Sequence, residues 1–299
     1  MSFDSNTIGI LLATIAALAW ASFTFTMKMA LRGASVIKTT VRLNGLNAIL
    51  VTSIALTVVP PMGFIPKTAG SAASLVLAGI FHIGMARLVF HSAIQHLGPN
   101  RALPIALSYP IITAISAALI LGERPTLKIL VGLIILLGGT TLIVRAEPGR
   151  ADTDNFSTST SKMTGWVCAV SASFFWGIAA IFFKKAALEI HPLAVSALAL
   201  WVGLAAVWLT SRWLDPEGAV PSRSWRWIAI SACCQTVAIP LYILAFTYTL
   251  TVRVSAIASV QPFFAILLGW LFMREAENIT LRLVAGAALV VGGTIFVIS

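Results

Sequence analysis

Apolar residues run along this chain in blocks of roughly 20, and short polar or proline-bearing breaks separate them. A helix that crosses the hydrocarbon core of a bilayer needs ~20 apolar residues, so each block predicts one spanning helix. The blocks fall at 7–31, 36–59, 71–96, 101–121, 127–145, 163–188, 192–213, 225–249, 253–273 and 280–298. The breaks carry Pro60-Pro61, Pro66, Gly98-Pro99, Pro125, Pro148-Gly149, Pro192, Pro216 and Pro221. The longest polar stretch, Arg145 to Lys162, is rich in Ser, Thr and Asp and sits at the middle of the chain. It reads as a linker over 146–162 between two halves, 1–145 and 163–299.

The halves share a register. Arg101 falls on Arg253, Pro110 on Pro262 and Glu123 on Glu275 at one constant offset. Thr126-Leu127-Lys128 corresponds to Thr280-Leu281-Arg282, Gly132 to Gly286, and Gly138-Gly139-Thr140 to Gly292-Gly293-Thr294. In the opening helices Trp20 pairs with Trp176, Lys28 with Lys184 and Ala30 with Ala186. Apolar composition alone does not align so many special residues, so the chain is a duplication. Five spans per half is an odd number, and the second half must therefore enter the membrane from the opposite side. The expected fold is an all-α integral membrane protein, ten transmembrane helices arranged as two inverted five-helix repeats. Transporters of this design bind substrate near the midplane, at the repeat interface, and work by rocking one repeat against the other.

Composition agrees with the bilayer as solvent. Hydrophobic residues make up 59% of the chain and charged residues 10%, with a mean hydropathy of +0.96. Soluble domains carry about 25% charged residues. The net charge of +10 does not indicate nucleic acid, because Lys and Arg stand in ones and twos at the ends of apolar runs, as interface anchors do. Cys168, Cys233 and Cys234 are odd in number, lie within apolar blocks and show no metal-ligand spacing. The N-terminus has no basic n-region or cleavage pattern, so its apolar stretch reads as the first span.

Several motifs make the chain resemble the EamA-type, ten-helix exporters of the drug/metabolite transporter superfamily. They are Trp20 and Trp176, Ser108-Tyr109-Pro110 with Val260-Gln261-Pro262, Leu121-Gly122-Glu123 with Arg274-Glu275, and the Gly-Gly-Thr ends of both fifth helices. The resemblance covers essentially the whole chain. It implies export of amino acids or related small metabolites, with the YddG-like amino-acid exporters as one candidate branch, and a multi-pass location in a bacterial inner membrane.

Phosphate-loop, zinc-protease and serine-hydrolase signatures are missing, so neither an ATP-driven pump nor an enzyme is expected, and no cofactor or metal. The rival functions are an exporter of lipophilic drugs and a membrane-embedded transferase. No Asp or Glu falls inside a predicted span, whereas a proton-coupled exporter of lipophilic cations needs a buried carboxylate. The candidate substrate-binding residues are Trp20, His82, Tyr109, Trp176, Gln235 and Gln261, polar or aromatic groups near the midpoints of spans one, three, four, six, eight and nine. Pro110 and Pro262 are candidate helix kinks. A mid-span Trp also serves as packing, a buried His as a neutral donor to a carbonyl, and a proline as a plain bend. Arg87 and His91 read as snorkelling or vestibule residues, and Tyr242, Tyr248, Gln95 and His96 as rim residues. The expected partners are a small-molecule substrate and the lipid bilayer, with no nucleic acid and a monomer ahead of a dimer. The excess of Lys and Arg in alternate loops puts both termini outside, whereas the resemblance implies both inside.

Overall fold

A computed structural model describes residues 4–97, 99–146, 159–264, 267 and 281–299. These residues form helices and connecting turns, with no strand among them. Helix α1 spans Ser5–Ala30 and α2 spans Val36–Val58. The N-terminus of α2 is capped by Ser35, whose Oγ accepts from the Lys38 amide at 3.0 Å. Helix α3, Ala69–Leu97, opens with a reciprocal capping box between Thr68 and Ser71. Its middle, Gly79–Ala86, widens into a π-helix. Helix α4 comes in pieces, Pro99–Ala106, Tyr109–Ser116 and a π-helical end, Ala117–Leu121. Then follow α5 (Leu127–Ala146), α6 (Ser159–Ala187), α7 (Pro192–Leu214) and α8 (Ser224–Ala245). Helix α9 starts at Thr251–Ala258 and resumes at Gln261, and α10 is Leu281–Ile298.

Among the described residues, eight helices are long and apolar enough to cross a membrane, and α5 adds a shorter apolar stretch, Leu127–Ile143. The predicted spans thus match helices nearly one for one. The differences are α4 and α9, predicted as single helices over 101–121 and 253–273, which break at Leu107-Ser108 and at Ser259-Val260. Outside the described residues lie the Gly98 and Pro148-Gly149 breaks, most of the linker, Arg274 and Glu275, the end of the ninth span, and Thr280.

Helix neighbours repeat in a two-fold pattern. Helix α1 packs along α8, and its counterpart α6 packs along α3. Helices α2 and α7 pair, α5 and α10 pair, α4 lies on α6, and α9 lies on α1. A single half-turn that exchanges the repeats maps each of these pairs onto another or onto itself. That is the two-repeat architecture expected of an inverted duplication.

Glycines set the closest approaches. A Cβ at Gly139 would lie 2.7 Å from the Val290 backbone nitrogen, and one at Gly132 would lie 2.8 Å from the Gly293 carbonyl oxygen. The seam of α5 against α10 is therefore backbone on backbone, a small-residue contact that lipid-embedded helices use to gain van der Waals packing. Gly138 and Gly292 face open space, so within each Gly-Gly pair only the second glycine packs. Between α3 and α7, a Cβ at Gly79 would lie 2.8 Å from the Ala199 carbonyl oxygen. This close approach lets α7 brace the π-helical segment that carries His82.

Candidate functional site

A cavity opens between the repeats, with about 510 Å³ of empty space including its mouth. All six side chains singled out in the sequence line it, namely Trp20, His82, Tyr109, Trp176, Gln235 and Gln261. They come from six different helices, three in each repeat. Phe23, Thr24, Arg87, Phe90, His91 and Leu107 complete the wall.

The two tryptophans are held differently. Trp20 is 9% exposed, donates its Nε1 to Gln235 Oε1 at 2.9 Å, and stands edge-on to Tyr242 at 5.0 Å between ring centroids. Trp176 is partly exposed and packs on Phe90 at 4.8 Å between centroids with the ring planes tilted by 57°, with Tyr109 edge-on at 6.1 Å. Gly177 lets α6 approach α4 here, because a Cβ on it would lie 2.9 Å from the Tyr109 carbonyl oxygen. His82 sits edge-on to Phe183 at 5.1 Å and lies 6.2 Å from Trp176, with no hydrogen-bond partner for its buried Nδ1.

Pro110 and Pro262 do not kink a continuous helix; each stands second in a new helical segment. Each break carries a serine that satisfies a freed carbonyl. Ser108 Oγ donates to the Ile105 carbonyl, and Ser259 Oγ to the Ala256 carbonyl, both at 2.7 Å. The new segments then start with matching bonds, Ile111 N to Ser108 O at 3.1 Å and Phe263 N to Val260 O at 2.9 Å. Tyr109 and Gln261, the residues just before the prolines, are thereby placed at the cavity wall.

Sequence reasoning left Arg87 and His91 as snorkelling or vestibule residues, and the structure corrects this. Arg87 is 3% exposed and His91 fully buried, and both face the cavity. Helix α2 carries a polar stripe at one-turn spacing, Thr40, Asn44 and Asn47; the first two hold His91 and Arg87, while Asn47 donates to Thr236 of α8 at 3.0 Å. Asn44 accepts from the Arg87 guanidinium and donates to the Ile83 carbonyl at 3.2 Å. Thr40 spends its hydroxyl proton on the Val36 carbonyl at 2.7 Å, so it accepts from His91 Nδ1, also at 2.7 Å. This assigns the proton of a neutral His91 to Nδ1. The same spacing in T-T-V-R-L-N-G-L-N was the available signal, since polar residues recurring on one face of an apolar helix mark a buried network. Tyr242, read as a rim residue, is 1% exposed and backs the wall behind Trp20 and His82.

One end of the molecule is closed by a polar layer drawn from both repeats. Gly122 takes a left-handed conformation, with φ at 67°, which ends α4 and turns Glu123 inward. The Glu123 carboxylate accepts from Lys184 Nζ at 2.7 Å, from the Thr251 amide at 2.9 Å and from the Thr251 hydroxyl at 2.6 Å. In the same layer Asn6 Oδ1 accepts from Thr249 Oγ1 at 2.5 Å and from Arg253 Nη1 at 2.6 Å. Arg253 Nε reaches the Val297 carbonyl at 2.7 Å. The cavity lies away from this layer. Its wall advances from Trp20 to Thr24 along α1 and from His82 to His91 along α3, and both helices run toward the opposite face.

A model of the EamA-like transporter family matches residues 7–145 and, a second time, residues 163–299. The chain belongs to that family. A solved structure described only as "Crystal structure of protein" aligns with a TM-score of 0.75 over 99% of this chain and 96% of that one. At 17% identity it shows the fold alone. No curated protein matches the sequence. As an EamA-like transporter the protein is a multi-pass membrane carrier of small molecules, and the two family matches fall on the two repeats that enclose the cavity.

Proposed function

We propose that the protein is a secondary transporter of amino acids or related small metabolites in a bacterial inner membrane, acting as a monomer. The observation that carries this reading is the convergence of Trp20, His82, Tyr109, Trp176, Gln235 and Gln261, three from each repeat, on one cavity. Aromatic faces suit an apolar side chain, and the amide and imidazole groups suit the polar end of an amphipathic solute. A wall drawn from both repeats changes shape when one rocks against the other, which is how such a site faces each side of the membrane in turn. An exporter of lipophilic cations fits less well, because among the described residues no carboxylate lines the cavity to offset a cation's lost hydration.

The test is counterflow in proteoliposomes loaded with unlabelled amino acids and given labelled ones outside, with no proton gradient imposed. Uptake that overshoots equilibrium supports the reading. Strict dependence on a proton gradient overturns simple facilitation, and uptake of cationic dyes alone favours the drug-export alternative.

A further inference from the structure

Among the described residues, Arg87 is a buried charge in the membrane interior that no acidic side chain balances. Its guanidinium is 3% exposed and forms part of the cavity wall. Its protein partner there is the neutral side-chain oxygen of Asn44. Among the described residues the one ion pair is Lys184 with Glu123, in the polar layer at the end of the molecule. The other described acids do not reach Arg87. Asp4, Glu189, Asp215 and Glu217 lie at or beyond helix ends, and Asp215 bonds Ser35 while Glu189 bonds Thr68.

Burying a guanidinium costs several kcal/mol unless its donors are used and its charge is offset. Asn44 takes one of five N–H donors. A carboxylate would take two more in a bidentate fork and cancel the charge at the same time. An ammonium has no such reception in this cavity. Gln235 spends its carbonyl oxygen on Trp20, Gln261 offers a neutral amide oxygen that already lies 3.5 Å from the Thr24 hydroxyl, and the guanidinium repels a second cation. The neutral rings of His82 and His91 offer at most a lone pair beside that guanidinium, a poor exchange for the hydration shell of an ammonium.

We infer that the cavity selects compact organic anions, an aromatic or apolar body bearing a carboxylate and no ammonium, with Arg87 as the residue that binds the carboxylate. This rests on the transport reading above and departs from it on substrate, favouring monocarboxylates among the small metabolites over the zwitterionic amino acids. Trp176, Phe90 and Tyr109 would hold the apolar body, and Asn44 acts as a positioning residue that fixes the guanidinium.

The test uses three ligands with one carbon frame, namely 3-phenylpropanoate, phenylalanine and phenethylamine. Binding of each to the purified full-length protein in nanodiscs is measured at equilibrium, with counterflow of each in proteoliposomes. The anion is expected to bind about tenfold or more tightly than the zwitterion, and the amine not to compete. Arg87→Gln should weaken 3-phenylpropanoate binding more than phenylalanine binding and so remove most of that advantage, and Arg87→Lys should restore part of it. The comparison among ligands on the unaltered protein needs no variant, so a poorly folding Arg87→Gln does not leave the inference unexamined. Equal or tighter binding of phenylalanine, with counterflow intact, would overturn the anion preference and leave the transport reading standing. An unchanged anion affinity in monodisperse Arg87→Gln would overturn the role of Arg87. No binding and no counterflow with any of the three would sink the transport-site reading and this inference with it.

Discussion

Trp20 and Trp176 occupy matching positions in the two repeats, yet their surroundings assign them different work. Trp20 is locked by its bond to Gln235 and by the edge of Tyr242, whereas Trp176 keeps part of its ring free toward the cavity. Trp20→Ala is therefore expected to leave a hole and an unpaired amide, at a cost of ~3–5 kcal/mol. Thermal unfolding in detergent would read this as a lowered midpoint with reduced monodisperse yield. Trp176→Ala should keep yield and midpoint close to the parent while slowing counterflow about tenfold, the loss of ~1.4 kcal/mol of ligand contact. Both variants losing monodispersity in step with transport would show that Trp176 is packing. At this scale the cavity residues were legible because a polar or aromatic group in the middle of an apolar run is rare and needs a reason. Arg87 was not legible. Its long stem allows a snorkelling reading, and only the fold brings Asn44 across from α2 to hold the head group inside. Tyr242 failed the other way, since nothing in its local sequence says that Trp20 will cover it.

Among the elements, glycine pairs make the sharpest predictions. Gly139 and Gly138 are sequence neighbours in α5, but only Gly139 touches α10. Gly139→Ala should force the α5 and α10 backbones apart and cost ~1–3 kcal/mol. Gly138→Ala, facing open space, should be neutral or stabilising by up to ~1 kcal/mol. Midpoints of unfolding for the two variants in one detergent decide the matter, and similar losses at both positions would mean that the seam lies elsewhere. The seam itself was readable from the repeated Gly-Gly-Thr, although which glycine packs depends on helix rotation, which composition does not set. The interruption of α4 was readable from Pro110, although as a kink and not as the end of one segment and the start of another. The π-helical middle of α3 was not readable, because no proline marks it and its departure from α geometry follows contacts made by other helices, such as Gly79 against Ala199.

For the whole molecule, the two-fold pattern of helix neighbours means that closing one end and opening the other are related operations. Glu123 is the knot of the closed end, joining α4 of the first repeat to Lys184 and Thr251 of the second. Glu123→Gln would keep its shape but lose the charge that Lys184 pairs with. A cysteine in place of Thr24, in a background lacking Cys168, Cys233 and Cys234, would report the result. Its labelling by an impermeant maleimide added from the face where α1 begins should rise several-fold in Glu123→Gln. Unchanged labelling would mean that the polar layer does not govern access.

The duplication also shows where the two ends differ. By register, the counterparts of Glu123, Lys184 and Thr251 at the other end are Glu275, Lys28 and Pro99. Thr251 gives the carboxylate an amide and a hydroxyl, whereas a proline has neither to give. A closure of the opposite end built on the same register would start with two fewer donors for its carboxylate, and the two arrangements would not be isoenergetic. At rest the balance would then tilt toward the arrangement closed where α1 begins, with the cavity turned to the far face. A ligand arriving at the near face must first wait for the scarcer form, so its apparent affinity there is divided by that small population. The equilibrium gradient is untouched, but half-saturation measured from the two sides of an oriented vesicle should differ. The carrier would then behave as a door hung slightly off true, which swings both ways and rests on one side.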